Sequence, residues 1–329
     1  MAGRGTRLRP HTLTVPKPLI PVAGKPIIQR LVEDLAASYQ GKIDEIAYII
    51  GDFGPEVERE LRHIATSLGA RCRLYQQEKA LGVGHAIACA AESMTGKCMV
   101  AFADTLFKAD FQFDAEEDGI IWTQQVRDPS AFGVVKLDAE GYISDFVEKP
   151  ATFVSDLAIV GIYYFRDGAR LKAALRHIID HDIKEKNEYQ LTTALELLKN
   201  EGLRFRTSAI EEWLDCGNKD NILHANGRML EIHQESTKVP ANAHIENCVI
   251  VQPCFIGEHA RIRNAVIGPY VSVGHHSVVE NTVIANSIIQ NKAHIQNALL
   301  HNSMIGNASR YIGTLDELNL GDYSDCSRH

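Results

Sequence analysis

The densest chemistry lies at the start of the chain, where AGRGTRLRPHTLTVPKPLIPVAGKP fills positions 2–26. Gly3 and Gly5 let the backbone approach a ligand closely, with several N–H groups turned toward it. Arg7 and Lys17 add positive charge, and Pro16, Pro18 and Pro21 stiffen the second half. Such a stretch suits a triphosphate. It is neither a P-loop, which needs GxxxxGK[ST], nor a dinucleotide fingerprint, which needs GxGxxG. Taken alone, a GxG with two cations reads first as a glycine turn with solvated charges. A second feature is Asp104, the carboxylate that ends CMVAFAD.

Hydrophobic periodicity supplies the elements that must hold these groups. PIIQRLVEDLAA (26–37) has apolar residues at helical spacing, and EIAYIIG (45–51) reads as a buried strand. PEVERELRHIATSLG (55–69) is an amphipathic helix stopped by Gly69, RCRLY (71–75) a strand, and GHAIACAAESM (84–94) a helix of small residues. Strands follow at 98–104, 119–126, 133–138, 142–147, 158–165 and 205–210, with helices at 168–180 and 192–200. Strands alternating with helices predict βαβ units. Ligands of such sheets sit beyond the carboxyl ends of the strands, which is where Asp104 falls.

The pattern changes after about residue 237. Ile250, Ile256, Ile262, Ile267, Val273, Val279, Ile284, Ile289, Ile295, Leu300 and Ile305 follow one another in steps of six or five, with small, polar or Gly residues between. That period is too long for a strand and too regular for a loop. A hexapeptide repeat predicts a parallel β-helix with a narrow stacked core.

The opening string resembles the N-terminal signature of the sugar-1-phosphate nucleotidylyltransferases, the nucleotide-sugar pyrophosphorylases. GxGTRL stands at Gly3–Leu8, PKP at Pro16–Pro18 and GKP at Gly24–Pro26. QEKALGVGHA (77–86) is similar to the family's base-binding segment and FAD (102–104) to its metal-binding strand end. FGVV (132–135), VEKP (147–150), AIVGIYYF (158–165), EYQLTTA (188–194) and WLDCGN (213–218) complete the series in the family's order. The fold implied is α/β: a Rossmann-like nucleotidyltransferase domain with a mostly parallel sheet over 1–217, a helical linker over 218–237, a left-handed parallel β-helix over 238–312, and a tail over 313–329. LGVGHA is most similar to members using UTP or dTTP with glucose 1-phosphate.

The resemblance implies that a sugar phosphate oxygen attacks the α-phosphorus of a nucleoside triphosphate and pyrophosphate leaves in line, so the protein positions groups and neutralises charge. Asp104 and Asp215 would supply carboxylates to Mg²⁺, which takes one or two of them plus substrate phosphates. Arg7 would stabilise charge growing on pyrophosphate. Lys17 and Lys149 would hold the sugar phosphate. Gly3, Gly5, Thr6, Gln77 and Gly82 would bind the nucleotide, Gln77 offering a base both a donor and an acceptor. Gly133 and Glu148 would serve the sugar, and Gly161 would leave room for its ring. His85 is assigned to helix packing, and Trp213 to packing beneath the site.

Departures from the family pattern exist. Thr105 follows Asp104 where Asn or Asp is common, Thr193 stands where Asp often follows LT, and Asn218 stands where Thr is common; the last two leave sugar choice open. Family members open with a short apolar strand before the glycine loop, whereas Met1 leads directly into it. That strand would lie mid-sheet, and its neighbours' unpaired groups would each cost about 1–3 kcal/mol. The expectation is therefore a true start upstream.

Composition bounds the remaining readings. The formal net charge is −8 with 45% hydrophobic and 23% charged residues, which excludes a disordered chain and a broad basic face for nucleic acid. No apolar run approaches the ~20 residues of a membrane span, and the start lacks a signal-peptide core. Seven scattered cysteines without CxxC fit a reducing cytoplasm. Exposed solenoid faces predict a homo-oligomer. The alternatives are a mannose-1-phosphate guanylyltransferase, a bifunctional enzyme whose β-helix transfers acyl groups through His275 or His276, and a non-catalytic regulatory subunit. The last should lose metal carboxylates or phosphate cations, yet Arg7, Lys17, Asp104 and Asp215 are all present.

Overall fold

The computed structural model describes residues 3, 5–39, 41–108, 114–233 and 239–314. Cys326, most of the tail and the end of the linker lie outside the described residues. The chain divides into two compact units, one of Met1–Pro21 with Lys25–Ala225, the other of Val22–Gly24 with Asn226–His329.

In the first unit a six-stranded sheet runs in the order Phe205–Ala209, Gly119–Gln125, Leu157–Phe165, Gly133–Leu137, Ile143–Glu148, with Cys98–Ala101 also paired to Leu157–Phe165. The first pair is parallel and the others antiparallel, so the sheet is mixed. Helices Gly168–Asp180 and Leu191–Asn200 bury Leu171, Leu175, Leu195 and Leu198 in a common core with Ile121, Phe165 and Phe205. Their apolar residues recur at three and four, which places one stripe of each helix on the core. Asp167 caps the first of them, accepting from the Ala169 amide at 2.9 Å.

Glu45–Ile50 and Arg71–Gln76 form a separate parallel pair. A cavity of about 780 Å³ lies between Glu45–Ile50 and Cys98–Ala101. Consecutive residues of both strands line it, Glu45 to Ile49 and Cys98 to Ala101. Successive strand side chains point to opposite faces, so a space touched by every residue runs along the strand edges, where N–H and C=O groups project. Ile28, Leu31, Val32 and Leu35, one stripe of helix Ile27–Ser38, cover it. The space is a slot between two sheet edges.

The second unit is a parallel β-solenoid. One sheet stacks His244–Ile250, Arg261–Ile267, Val278–Ala285, His294–His301 and Arg310–Ile312, and another Cys254–Ile256, Val271–Val273, Ser287–Ile289 and Met304–Ile305. Ile256, Ile262, Ile267, Val273, Val279, Ile284, Ile289 and Ile295 are at most 1% exposed, as the period of five and six requires. Asn247, Asn264, Asn281 and Asn297 form a ladder of side-chain hydrogen bonds of 2.8, 3.1 and 3.0 Å across separations of 17, 17 and 16 residues. All four have positive φ, which Asn tolerates better than other side-chain-bearing residues. Outside, Val249, Val266, Val283 and Leu299 stand in register. Val22–Gly24 belong to this unit through the Ala23 amide, which donates to Asn226 Oδ1 at 2.9 Å. Among the described residues no helix is long and apolar enough to cross a membrane.

Candidate active site

The glycine loop is a tight turn. Gly5, at φ 57°, opens a 3-10 turn over Thr6–Leu8, and its carbonyl accepts from Leu8 N at 3.0 Å and Thr12 Oγ1 at 2.7 Å. A Cβ on Gly5 would stand 3.2 Å from Lys17 Cβ, so loop and lysine are neighbours. Thr6 and Arg7 are exposed, and their N–H groups have no partner among the described residues. Arg7 forms no ion pair there either, and Gly3 is exposed with open space around its Cα.

Lys17 Nζ lies 2.6 Å from Asp104 Oδ2. Asp104 sits in a turn held by Thr105 N donating to Phe102 O at 3.1 Å and by Phe102 N donating to Gly161 O at 2.9 Å. Thr105 Oγ1 donates to Val160 O at 3.1 Å, tying the turn to the strand that carries Gly161. The position a Cβ would take on Gly161, at φ 94°, is 2.7 Å from the Phe102 ring. That glycine is required by the close packing of the Asp104 turn.

Two short strands that periodicity does not reveal bring the second carboxylate in. Thr105–Lys108 and Glu212–Asp215 form an antiparallel ladder with Asp215 opposite Thr105, and Cys216 N donates to Asp104 O at 3.0 Å. The buried Cys216 thiol is pushed up by burial first, then by Asp215 and Asp104, with Lys17 opposing. Asp215 Oδ2 accepts from Asn221 Nδ2 at 2.6 Å, and a Cβ on Gly217 would fall 2.8 Å from the same oxygen. Trp213 meets the Phe132 ring edge-on, with centroids 4.8 Å apart.

The sugar-side residues gather at one hairpin. Gly133 is paired with Glu148, and a Cβ there would stand 3.1 Å from Glu148 Oε2. Lys149, at φ 44°, has its Nζ 3.5 Å from Glu148 Oε1, and its amide donates to Phe132 O at 3.1 Å. Lys186, which sequence reasoning passed over, donates to the carbonyls of Glu148 and Lys149 at 3.0 and 2.8 Å. Its only sequence signal was its place just before EYQLTTA.

Gln77 and Gly82 form a third group. Gln77 Nε2 donates to Gly82 O at 3.2 Å and lies 3.1 Å from His85 Nδ1. Gly82, at φ 111°, leaves no room for a side chain, since a Cβ would be 2.6 Å from Tyr189 O. Gly84 N donates to that oxygen at 2.7 Å, and Tyr189 N donates to Leu81 O at 2.9 Å. Thr192 Oγ1 reaches Glu148 Oε2 at 3.5 Å. The segment from Tyr189 to Thr192 thus touches both the Gln77 and the Glu148 groups. Helix Val83–Cys89 is shorter than the sequence pattern suggests; a 3-10 turn at Ala91–Ser93 replaces its end, with Ser93 Oγ donating to Glu45 Oε1. Among the described residues no three His, Cys, Asp or Glu side chains form a metal cluster.

Residues 1–232 match the family described as Nucleotidyl transferase. A glucose-1-phosphate thymidylyltransferase of Streptomyces antibioticus is 29% identical over 98% of this chain and 96% of its own length. A low-salt glycan biosynthesis nucleotidyltransferase of Haloferax volcanii is 31% identical over 70% of this chain and 64% of its own. A bifunctional protein GlmU of Methanocaldococcus jannaschii is 31% identical over 76% of this chain and 59% of its own. The fold is shared with a solved putative glucose-1-phosphate thymidylyltransferase from Bacillus anthracis in complex with a sucrose, at TM-score 0.58 and 23% identity over 69% of this chain and 92% of that one. It is shared equally with a UDP-glucose pyrophosphorylase complexed with UDP-glucose, at TM-score 0.58 and 23% identity over 70% of this chain and 97% of that one. With 232 of its 329 residues matched, this chain belongs to the nucleotidyl transferase family.

Proposed function

We propose that the chain joins a nucleoside triphosphate, dTTP or UTP, to glucose 1-phosphate, giving a nucleoside diphosphate sugar and pyrophosphate. The observation that carries this reading is the Lys17–Asp104 ion pair beside the ladder that sets Asp215 opposite Thr105, the residue after Asp104. In the reaction a phosphate oxygen of the sugar forms a bond to the α-phosphorus, and the bond from that phosphorus to the bridging oxygen breaks. The electron pair leaves with pyrophosphate.

The donor set fits Mg²⁺. Asp104 and Asp215 each have one carboxylate oxygen engaged, by Lys17 and Asn221, and the other without a partner among the described residues. Hard oxygen donors of that number, completed by phosphates and water, are what this ion takes. When bound, it would neutralise charge on the triphosphate. Lys17 holds the sugar phosphate on the attack line. Arg7 and the loop N–H groups receive the departing pyrophosphate. Glu148 accepts hydrogen bonds from sugar hydroxyls, and Lys149 adds charge beside it. Gln77 meets the base.

The solenoid histidines have structural duties that argue against acyl transfer. His275 Nδ1 accepts from the Glu258 amide at 3.0 Å, and His276 stacks on His259 with centroids 4.8 Å apart. The deciding experiment is a pyrophosphate-release screen of five nucleoside triphosphates against glucose, mannose, galactose and N-acetylglucosamine 1-phosphates. Release with dTTP or UTP and glucose 1-phosphate is expected. Release with no pair would support a non-catalytic subunit, and preference for GTP with mannose 1-phosphate would replace the substrates.

A further inference from the structure

The two carboxylates assigned to the cation are held by unlike partners. Lys17 Nζ, 2.6 Å from Asp104 Oδ2, brings a positive charge that offsets the negative one. Asp215 Oδ2 instead accepts from a neutral amide, Asn221 Nδ2, at 2.6 Å. Among the described residues no lysine, arginine or histidine forms an ion pair with Asp215, and its Oδ1 has no hydrogen-bond partner.

The local sequence builds that contact. Strand Glu212–Asp215 ends at the carboxylate, and after Cys216, Gly217 and Asn218 the helix Lys219–Ile232 begins. Asn218 caps this helix: its Oδ1 accepts from Asn221 N at 2.9 Å, and its carbonyl accepts from Ile222 N at 3.0 Å. The cap fixes the first turn, and from that turn the Asn221 side chain reaches back to Asp215. Gly217 makes room for the carboxylate, since a Cβ there would stand 2.8 Å from Asp215 Oδ2 and 3.1 Å from Oδ1. Asp215 and Asn221 are both half-buried, so their hydrogen bond is partly shielded from water.

We infer that Asn221 is a positioning residue for the cation, which fixes one oxygen of Asp215 and leaves the other free with the carboxylate's charge uncancelled. This rests on Asp215 being a metal carboxylate in the proposed reaction. A lysine in that place would also hold the carboxylate, but it would remove the charge that attracts the ion. An aspartate would repel it. A neutral donor orients without neutralising. Hydrogen-bond partners of metal ligands commonly set the affinity of a site by about 10–100-fold.

The test reads metal binding instead of turnover. Mn²⁺ replaces Mg²⁺, and the electron paramagnetic resonance signal of the free ion is followed with the non-reacting α,β-methylene UTP present, against a protein-free control. Asn221→Leu, of similar size and without a donor, should weaken Mn²⁺ binding about 10-fold. Asn221→Lys, which keeps a donor and cancels the charge, should weaken it as well, and Asn221→Gln should recover most of it. Melting of the metal-free proteins separates positioning from folding. A purely structural Asn221 would lower Tm in Asn221→Leu and leave the Mn²⁺ affinity of the folded protein unchanged in all three variants. That result overturns the inference and leaves the proposed reaction intact. Absence of pyrophosphate release by the wild type with every nucleotide overturns both. Nitrogen NMR of the wild type is independent of any variant's folding: Mn²⁺ should broaden the Asn221 side-chain amide signal, and a signal left sharp would refute the placement.

Discussion

The Lys17 ammonium is 2.6 Å from Asp104 Oδ2, the lysine side chain 11% exposed and the aspartate 43%. A nearly buried cation thus rests on a carboxylate that still reaches solvent. The pair stands beside the glycine loop, and the second Asp104 oxygen has no partner among the described residues.

Asp104→Asn should lower pyrophosphate release at least about 100-fold, the scale seen when one preorganised charge partner is removed. Metal-free protein should be inactive and regain turnover with Mg²⁺. Turnover that persists after chelation, or an Asp104→Asn rate within threefold of wild type, would refute the assignment.

Lys186→Met should raise the KM for the sugar phosphate about 10-fold with little change in kcat, because Lys186 fixes the carbonyls of Glu148 and Lys149 without reaching the phosphorus. Steady-state kinetics with the sugar phosphate varied checks this. A loss confined to kcat would place Lys186 in the chemistry instead.

Much of this arrangement was legible in sequence. Helix Ile27–Ser38 was read to within a residue, because its apolar spacing and leading proline are local signals. The solenoid was read from its period, since each turn repeats the same burial. What escaped was the ladder of Thr105–Lys108 with Glu212–Asp215. Each strand has four residues, too few for a visible alternation, and pairing across so long a separation leaves no local trace. Asp104 and Asp215 were named from resemblance, and the ladder sets Asp215 opposite Thr105, the residue after Asp104.

Burial pushes the Asp34 carboxyl up to about 6, partly opposed by the Arg30 guanidinium, and its Oδ2 is buried without a partner among the described residues. The unfolded chain ionises this group near 4. Between about 4 and 6 the folded protein holds the proton more tightly, so this group makes stability fall as pH rises through that window. Denaturant melts of wild type and Asp34→Asn at pH 4.5 and 7.5 should differ in their pH dependence by about 1–3 kcal/mol. Parallel pH profiles for the two proteins would contradict this.

The asparagine ladder has a consequence for how such a chain can change length. Every rung repeats the one before it after 16 or 17 residues. A deletion or duplication of one whole coil would leave the surviving rungs, the inward aliphatic stack and the outward column from Val249 to Leu299 aligned. An indel of any other size would shear all three at once. Descendants of this sequence should therefore differ at their far end by whole coils, as a ruler is cut at its marks.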